Sequence, residues 1–330
     1  MFFEVNKLKS DARMKAHWDR MWMERNSKKN PLVPNFDLGF WREIDQAALD
    51  SRRAADGMEI LEDLSSLQRT LHVGKTIAGY TESGSISDEV KISIDGQLPY
   101  SYDDTAGAAA GDPVPMITAG FGVNWRKQAG FQSANLDAVL DAQQAKMQVY
   151  NEQLVDYLLY GAENIVVEGA PALGLTNHSN TQAVTDTNSH LSTGTQQQLD
   201  ALFTTGVIGQ ALRDNRVGKL DVAWVSPEVF ANLQSLYVVG GNTTDRTIAE
   251  ALDARWGIGE FRQTYALSGN QMLGYVRERF ALQTLVGMPT TIVARPRPVP
   301  TSNYNFDVLG ALGVQVKKRS GNKQVFYVSN

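Results

Sequence analysis

The 330-residue chain contains no cysteine, and its 31 Lys and Arg against 36 Asp and Glu leave a net charge of −5, with 42% hydrophobic and 20% charged residues. That length suits one large domain or two medium ones, and the missing thiols exclude a disulfide framework, a thiolate metal site, a cysteine nucleophile and an iron–sulfur cluster. Apolar runs such as 165–167 and 285–288 fall far short of the ~20 residues of a membrane span, and the mildly acidic balance gives no chain-wide attraction to nucleic acid.

Residues 1–30 carry eight Lys and Arg against four acids, a local charge of +4 in a chain whose remainder is −9. Glu4, Lys7 and Lys9 stand where a secretory signal needs its apolar core, so the reading is cytosolic, without export. Trp18, Met21, Trp22 and Met23 then predict a short amphipathic helix, followed by an extended arm through Pro31 and Pro34. Such a segment either docks on a partner or packs on its own domain. From Phe40 to Leu71 the pattern is helical, with Ile44, Leu49, Ile60, Leu61, Leu64 and Leu67 as candidate apolar contacts.

After Leu71 the composition turns to strand formers at 73–80, 89–94 and 116–125. The last two are separated by a Gly, Ala, Asp and Pro-rich stretch over 95–115, which is long for a connection without periodicity of its own. Residues 73–126 therefore read as a long β-arm with a flexible tip. Ser133 opens a helix of roughly 40 Å, with Leu136, Val139, Leu140, Met147, Val149, Tyr150, Leu154, Tyr157 and Leu158 on its apolar side. Gln143, Gln144, Lys146 and Glu152 are assigned to the other face, and Gly161 is the stop.

Beyond it, residues 169–180 form a loop of turn formers. Thr195 and Gln198 make a capping-box pair before a helix bearing Leu199, Leu202, Phe203 and Leu212. Leu220–Val225 is a buried strand ending in Ser226-Pro227, an N-cap with proline at the first helical position. The helix it opens is expected to display Val229, Phe230, Leu233, Leu236 and Tyr237. A Gly240-Gly241 loop, a helix over about 247–256 and apolar stretches at 271–276, 280–286 and 291–294 follow. Segments 307–316 and 323–328 around Ser320-Gly321-Asn322 read as a final β-hairpin. The alternation describes a mixed α/β domain.

Catalytic templates fail in turn. Gly218-Lys219-Leu220 lacks both the earlier glycine, Arg213 standing there, and the hydroxyl residue of a phosphate loop. No Gly-x-Ser-x-Gly elbow exists. No two of His17, His72, His178 and His190 share the i, i+4 spacing of a helical zinc site. His178 reads as stabilising its turn, with a catalytic base as the alternative. Asp103-Asp104 reads as solvated loop charge in preference to a cation site, and Arg295-Pro296-Arg297-Pro298 as an edge that cannot continue a sheet. A hydrolase or transferase would need Asp221, His178 and a hydroxyl gathered in one cleft.

The order of parts resembles the major capsid proteins of tailed double-stranded DNA bacteriophages, the Hong Kong ninety-seven-type fold shared with encapsulins. Residues 169–180, Gly-Ala-Pro-Ala-Leu-Gly-Leu-Thr-Asn-His-Ser-Asn, are similar to the Gly-Leu-Leu-Asn-His-Pro loop that follows the spine helix in several such families. Residues 224–230, Trp-Val-Ser-Pro-Glu-Val-Phe, resemble their strand-to-helix segment, and 309–328 their closing hairpin. The resemblance implies an α+β capsid fold divided into an N-terminal arm and helices (1–72), an extended β-arm or E-loop (73–126), a peripheral domain with the spine helix (127–164 and 296–330) and an α/β axial domain (165–295).

It implies a viral structural protein without enzymatic activity, catalytic residue, cofactor or metal. Such a protein self-associates into hexamers and pentamers of an icosahedral head, assembled in the host cytoplasm and residing in the virion. An encapsulin-like compartment shell is the alternative reading, and a tail-tube protein would instead require a dominant β-sandwich. Because the N-terminal region lacks the long helical extension of some relatives, a separate scaffolding protein is expected, together with a portal and a decoration protein. Packaged double-stranded DNA would face the inner surface without sequence-specific binding. Contacts between subunits are expected at Trp18, Trp22 and Arg25, at Lys75, Tyr100, Tyr102, Asp103, Asp104 and Arg126, and at Gly240 and Gly241. Covalent crosslinking does not carry over, since lysines such as Lys75 and Lys91 are ordinary on strand edges.

Overall fold

The computed structural model describes residues 56–83, 107–133, 138–239, 242–319 and 321–330. They divide into two compact units, one holding Thr118–Met147 and Ile292–Val308 and a larger one holding the rest, with a few long elements contributing to both.

In the larger unit the chain begins with α1 (Met58–Leu64) and a short 3-10 turn, Ser65–Leu67. Ile60, Leu61, Leu64 and Leu67 are all buried, as their spacing predicts. Helix gives way at Gln68, and the two-residue strand β1 (Arg69–Thr70) pairs in parallel with β13 (Leu282–Ala294). The strand predicted at 73–80 starts later, because His72–Lys75 form a turn in which Lys75 N donates to His72 O at 2.9 Å. β2 (Ile77–Ser83) then pairs antiparallel with β3 (Gly107–Pro113) through seven registered pairs, from Ile77↔Pro113 to Ser83↔Gly107. At ~3.4 Å per residue this is a two-stranded ribbon of roughly 24 Å. The expected tip of the arm and the strand at 89–94 lie outside the described residues.

β4 (Met116–Val123) is shorter than the predicted 116–125 run, because α2 (Trp125–Ser133) starts there, with Asn124 Oδ1 accepting from Arg126 N at 2.9 Å. In the smaller unit β4 lies beside β14 (Tyr304–Val316) and Phe121 stacks on Phe306, centroids 4.9 Å apart.

The long helix α3 (Ala138–Tyr160) ends at Tyr160, and Gly161 follows with φ 69, the left-handed C-terminal geometry glycine provides. Its buried stripe is not quite the predicted one. Gln143 is fully buried, whereas Val149 is 47% exposed. Gln143 stands four residues after Val139 and four before Met147, so the helical repeat carries it inward whatever its polarity.

After α3 come the hairpin β5 (Gly161–Val167) and β6 (Ala170–Leu173), then β7 (Thr181–Thr185) and the one-turn α4 (His190–Thr193). The single helix expected after Thr195 is two, α5 (Gln196–Thr204) and α6 (Val207–Asp214), broken at Gly206. The Thr195–Gln198 capping box is present, with Thr195 N donating to Gln198 Oε1 at 2.8 Å. β8 (Leu220–Val225) leads into α7 (Pro227–Leu233), capped by Ser226 Oγ accepting from Val229 N. Leu236 and Tyr237, expected on that helix, instead begin β9 (Leu236–Val239), which pairs with β10 (Asn242–Thr247). α8 (Ile248–Trp256), β11 (Ile258–Gln263) and β12 (Met272–Tyr275) follow. The apolar stretches at 280–286 and 291–294 fall largely on one strand, β13, which runs through Pro289.

The expected C-terminal hairpin does not form. A tight turn exists, with Arg319 and Asn322 exchanging backbone hydrogen bonds at 2.9 Å each way, but the strands on either side of it enter different sheets. β14 lies between β13 and β4, whereas β15 (Val325–Ser329) sits inside a five-stranded sheet of order β11-β8-β12-β15-β7. There β15 is antiparallel to β12 and parallel to β7. Its apolar residues match both faces' needs: Val325, Phe326 and Val328 are buried. α5, α6, α7 and α8 cover this sheet through one core that includes Leu199, Phe203, Val229, Leu252 and Phe326.

Gly161 and Gly174 come so close that a Cβ on Gly161 would sit 2.4 Å from Gly174 N. Gly161→Ala therefore combines this clash with the ~1–2 kcal/mol of a left-handed non-glycine residue. A loss of about 2 kcal/mol or more is expected in urea denaturation, and an unchanged midpoint would contradict this geometry.

Candidate functional site

The densest set of long-range polar contacts gathers around residues 174–180. α3 leaves its last carbonyls without helical partners, and this loop supplies them. Leu175 N donates to Leu158 O and Thr176 N to Leu159 O, both at 2.9 Å. Thr176 Oγ1 adds a bond to Leu159 O and Asn177 Nδ2 one to Tyr160 O, both at 2.8 Å. Asn177 Oδ1 turns back to accept from Gly174 N, which fixes the amide's orientation.

The next residues reach the base of the β2–β3 ribbon. His178 Nδ1 accepts from Asn180 N at 3.1 Å, so the ring proton lies on Nε2, which donates to Asp112 Oδ1 at 3.0 Å. Both side chains are almost wholly buried, 4% and 11% exposed. Asn180 Nδ2 donates to Val316 O at 2.9 Å and to the Tyr80 hydroxyl at 3.3 Å. Gln315 Nε2 donates to Ala78 O, and Ala78 shares an apolar cluster with Val114, Leu285 and Ala311. Burial, with the charge of Asp112 second, pushes the Tyr157 hydroxyl well above the ordinary tyrosine value, so it stays protonated. His178 thus has the turn-stabilising role expected of it, and a charged partner 66 residues away in addition.

A second constellation ties α1 to the five-stranded sheet. The Asp63 carboxylate, 8% exposed, accepts from the Tyr275 hydroxyl at 2.6 Å and Arg277 Nε at 3.0 Å, and pairs with Arg277 Nη2 and, at 3.4 Å, Arg262 Nη1. Tyr275 in turn accepts from Trp224 Nε1 at 2.8 Å. Burial first, then Asp63, raises the Tyr275 hydroxyl far above its usual range. Two further carboxylates are similarly engaged. Asp186 bonds His190, Leu191 N and Asn270, and Asp200 bonds Tyr237 and Arg255.

These groups are committed to holding backbone and side chains in place. His178 bonds Asp112, while Asp221 accepts from Arg277 N at 2.8 Å. Among the described residues no group of three or more His, Asp or Glu is placed to hold a metal ion, and no helix is long and apolar enough to cross a membrane. An open, polar depression is lined by Lys219, Asp221, Asp253, Gly259, Glu260 and Arg277.

Of the residues expected at contacts, the structure describes two. Lys75 lies exposed in the turn before β2, and Arg126 lies exposed in the first turn of α2. Trp18, Trp22, Arg25, Tyr100, Tyr102, Asp103, Asp104, Gly240 and Gly241 lie outside the described residues. The sequence reading did not single out the apolar side chains left in solvent on two small hairpins. These are Ile165 and Val166 on β5, and Leu236, Val238 and Val239 on β9, from 37% to 58% exposed. Their runs are indistinguishable from buried strands by periodicity, and only the lack of a covering layer reveals them.

Residues 29–328 match a family described as "Family of unknown function (DUF6260)". No curated protein matches the chain in sequence. Among solved structures, a virus-like particle protein from Pyrococcus furiosus is 14% identical with a TM-score of 0.57, over 88% of this chain and 99% of its own. The capsid protein of Myoviridae phage XM1 is 15% identical with a TM-score of 0.58, covering 80% and 90% of the two chains. The capsid of a native GTA particle is 9% identical with a TM-score of 0.55, covering 80% and 88%. The fold is therefore the α+β, Hong Kong ninety-seven-type fold that the order of parts resembled.

Two substitutions test the described contacts. Asp63→Ala, which strands the Arg277 guanidinium and the Tyr275 hydroxyl, is expected to cost about 3–5 kcal/mol in chemical denaturation. His178→Ala leaves the Asp112 charge buried and unpaired, at a cost of about 3 kcal/mol. Adding Asp112→Ala to His178→Ala should cost less than the sum of the singles, and strict additivity would mean that the pair does not interact.

Proposed function

The chain belongs to the DUF6260 family, and we propose from its fold that it is the major capsid protein of a tailed bacteriophage, forming the icosahedral shell around the double-stranded DNA genome. The observation that carries this reading is the likeness, over 80% or more of this chain and 88% or more of the other, to capsid and virus-like particle proteins of otherwise unrelated sequence. The chain's own architecture agrees in kind. A two-stranded ribbon is marginal in water by itself, yet β2–β3 is pinned firmly at its base and pairs with no third strand among the described residues. A ribbon held this way suits a surface completed by a neighbouring copy. The exposed apolar side chains of β5 and β9 are of the kind that association covers.

In this reading the subunits form hexamers and pentamers, with residues 1–72 as the N-terminal arm and 73–126 as the extended loop. Residues 127–164 and 296–330 are the peripheral domain, and 165–295 the axial domain. Many moderate contacts closed by symmetry make a stable whole from weak pairs. Lys75 and Arg126, with the undescribed Trp18, Trp22, Arg25, Tyr100, Tyr102, Asp103, Asp104, Gly240 and Gly241, are the proposed contacts. A separate scaffolding protein, a portal and a decoration protein are the expected partners.

Electron microscopy and sedimentation of the purified chain, alone and co-expressed with its neighbouring genes, test the proposal. Closed shells only with those partners are the expected result. Closed shells from the chain alone would favour an encapsulin-like compartment, and a compact monomer in both cases would defeat the shell reading. Deleting residues 1–30 should leave a soluble chain that makes no closed shells.

A further inference from the structure

The acidic chain concentrates positive charge at one place in the larger unit. Lys317, Lys318 and Arg319 lead into the tight turn before Lys323. Lys323 N donates to Asn215 Oδ1 at 2.8 Å, next in the chain to the exposed Arg216, and the Lys323 ammonium donates to Thr181 O at 3.0 Å. Lys317 N donates to Ala281 O, and the Lys317 ammonium feels the charge of Arg69. Its ammonium also sits 5.1 Å over the Tyr80 ring. The acids facing this cluster are few: Glu278 pairs with Arg319 at 3.2 Å, Asp112 is held by His178, and Asp214 is exposed beside Asn215.

The lysines are crowded. Partial burial, followed by Arg69 for one and Lys318 for the other, lowers both Lys317 and Lys323 below the ordinary lysine value. Like charges held close together on one turn raise the local positive potential and attract anions. Arg319 lies 5.1 Å over Phe280, which stays exposed beside the patch. Lysine is depleted from protein–protein interface cores, whereas nucleic-acid interfaces are polar and strongly positive.

We propose that Arg69, Arg216, Lys317, Lys318, Arg319 and Lys323 form a docking surface for the phosphates of duplex DNA, contacted without regard to sequence. Contacts of this kind to phosphate position the backbone and carry no sequence information. This rests on the shell reading and deepens it by assigning a particular face of the larger unit to the enclosed genome.

The test measures binding of the full-length chain to a short fluorescein-labelled duplex by anisotropy, between about 50 and 200 mM NaCl. Arg216→Asn/Lys318→Gln removes two exposed cations, and asparagine tolerates the left-handed backbone of Arg216, φ 51. Lys146→Gln/Arg246→Gln is the charge-matched control on other elements. The expected result is a slope of log K against log salt flattened by about 2 in the first pair and unchanged in the second, with both variants melting as the parent does. Equal losses in both pairs, or a slope that only deletion of residues 1–30 alters, would overturn the assignment. Loss of binding to poly-glutamate with duplex binding intact would overturn it in favour of an acidic protein. Electron micrographs separate the two ideas. Shells made by a variant whose DNA binding is unchanged would sink the docking surface alone, whereas absence of shells from the parent with its neighbouring genes would sink the shell reading and leave the DNA measurement standing.

Discussion

Much of the larger unit depends on one constraint, the need to satisfy the carbonyls at the end of α3. A helix of 23 residues that ends inside a protein must find donors for its last turn or forfeit their hydration. Gly161 turns the chain, and residues 175–177 return to provide those donors. Everything that follows is placed by that return. His178 falls opposite Asp112, Asn180 falls between Tyr80 and Val316, and Thr181 opens β7 with its hydroxyl on Leu175 O at 2.7 Å. The end of the helix, the base of the ribbon and the edge of the five-stranded sheet are thereby fixed by one short loop.

Asp63 does for α1 what this loop does for α3. A seven-residue helix has little stability of its own, and its four buried apolar side chains supply area without direction. The carboxylate supplies direction. It accepts from the Tyr275 hydroxyl at the end of β12 and pairs with Arg277, two residues further on, and with Arg262 on β11, which ties the helix to two strands of the sheet. Trp224 extends the chain of donors by one more step. Such a network contributes more to uniqueness than to net stability, since burying the same charges costs nearly what their pairing returns.

Local structure was legible in the sequence wherever a rule acts over a few residues. Gly161 as the stop of the long helix, the Thr195–Gln198 box and the Ser226-Pro227 start are all found where spacing put them. What failed needed information from far along the chain. Leu236 and Tyr237 continue the apolar period of α7, yet α7 ends at Leu233 and they join a strand paired with 242–247. The 323–328 segment has a good turn before it and good strand composition, but Val325 pairs with Tyr275 and Thr181, 50 and 144 residues earlier, not across the turn. His178 was recognisable as a turn residue, while Asp112 was invisible as its partner. The fold as a whole was legible through the order of its parts, because that order survives when individual side chains do not.

The position of β15 has a consequence for how the chain is made. β15 lies between β12 and β7, so two neighbours with no hydrogen bonds to each other wait on residues 325–329 to be joined. During synthesis β7, β8, β11 and β12 emerge with a central place vacant, and the pairing that fills it closes a loop of well over a hundred residues. Contacts of such separation form slowly. A nascent chain therefore has no finished sheet to offer, and completion of this core is deferred until translation has passed residue 329.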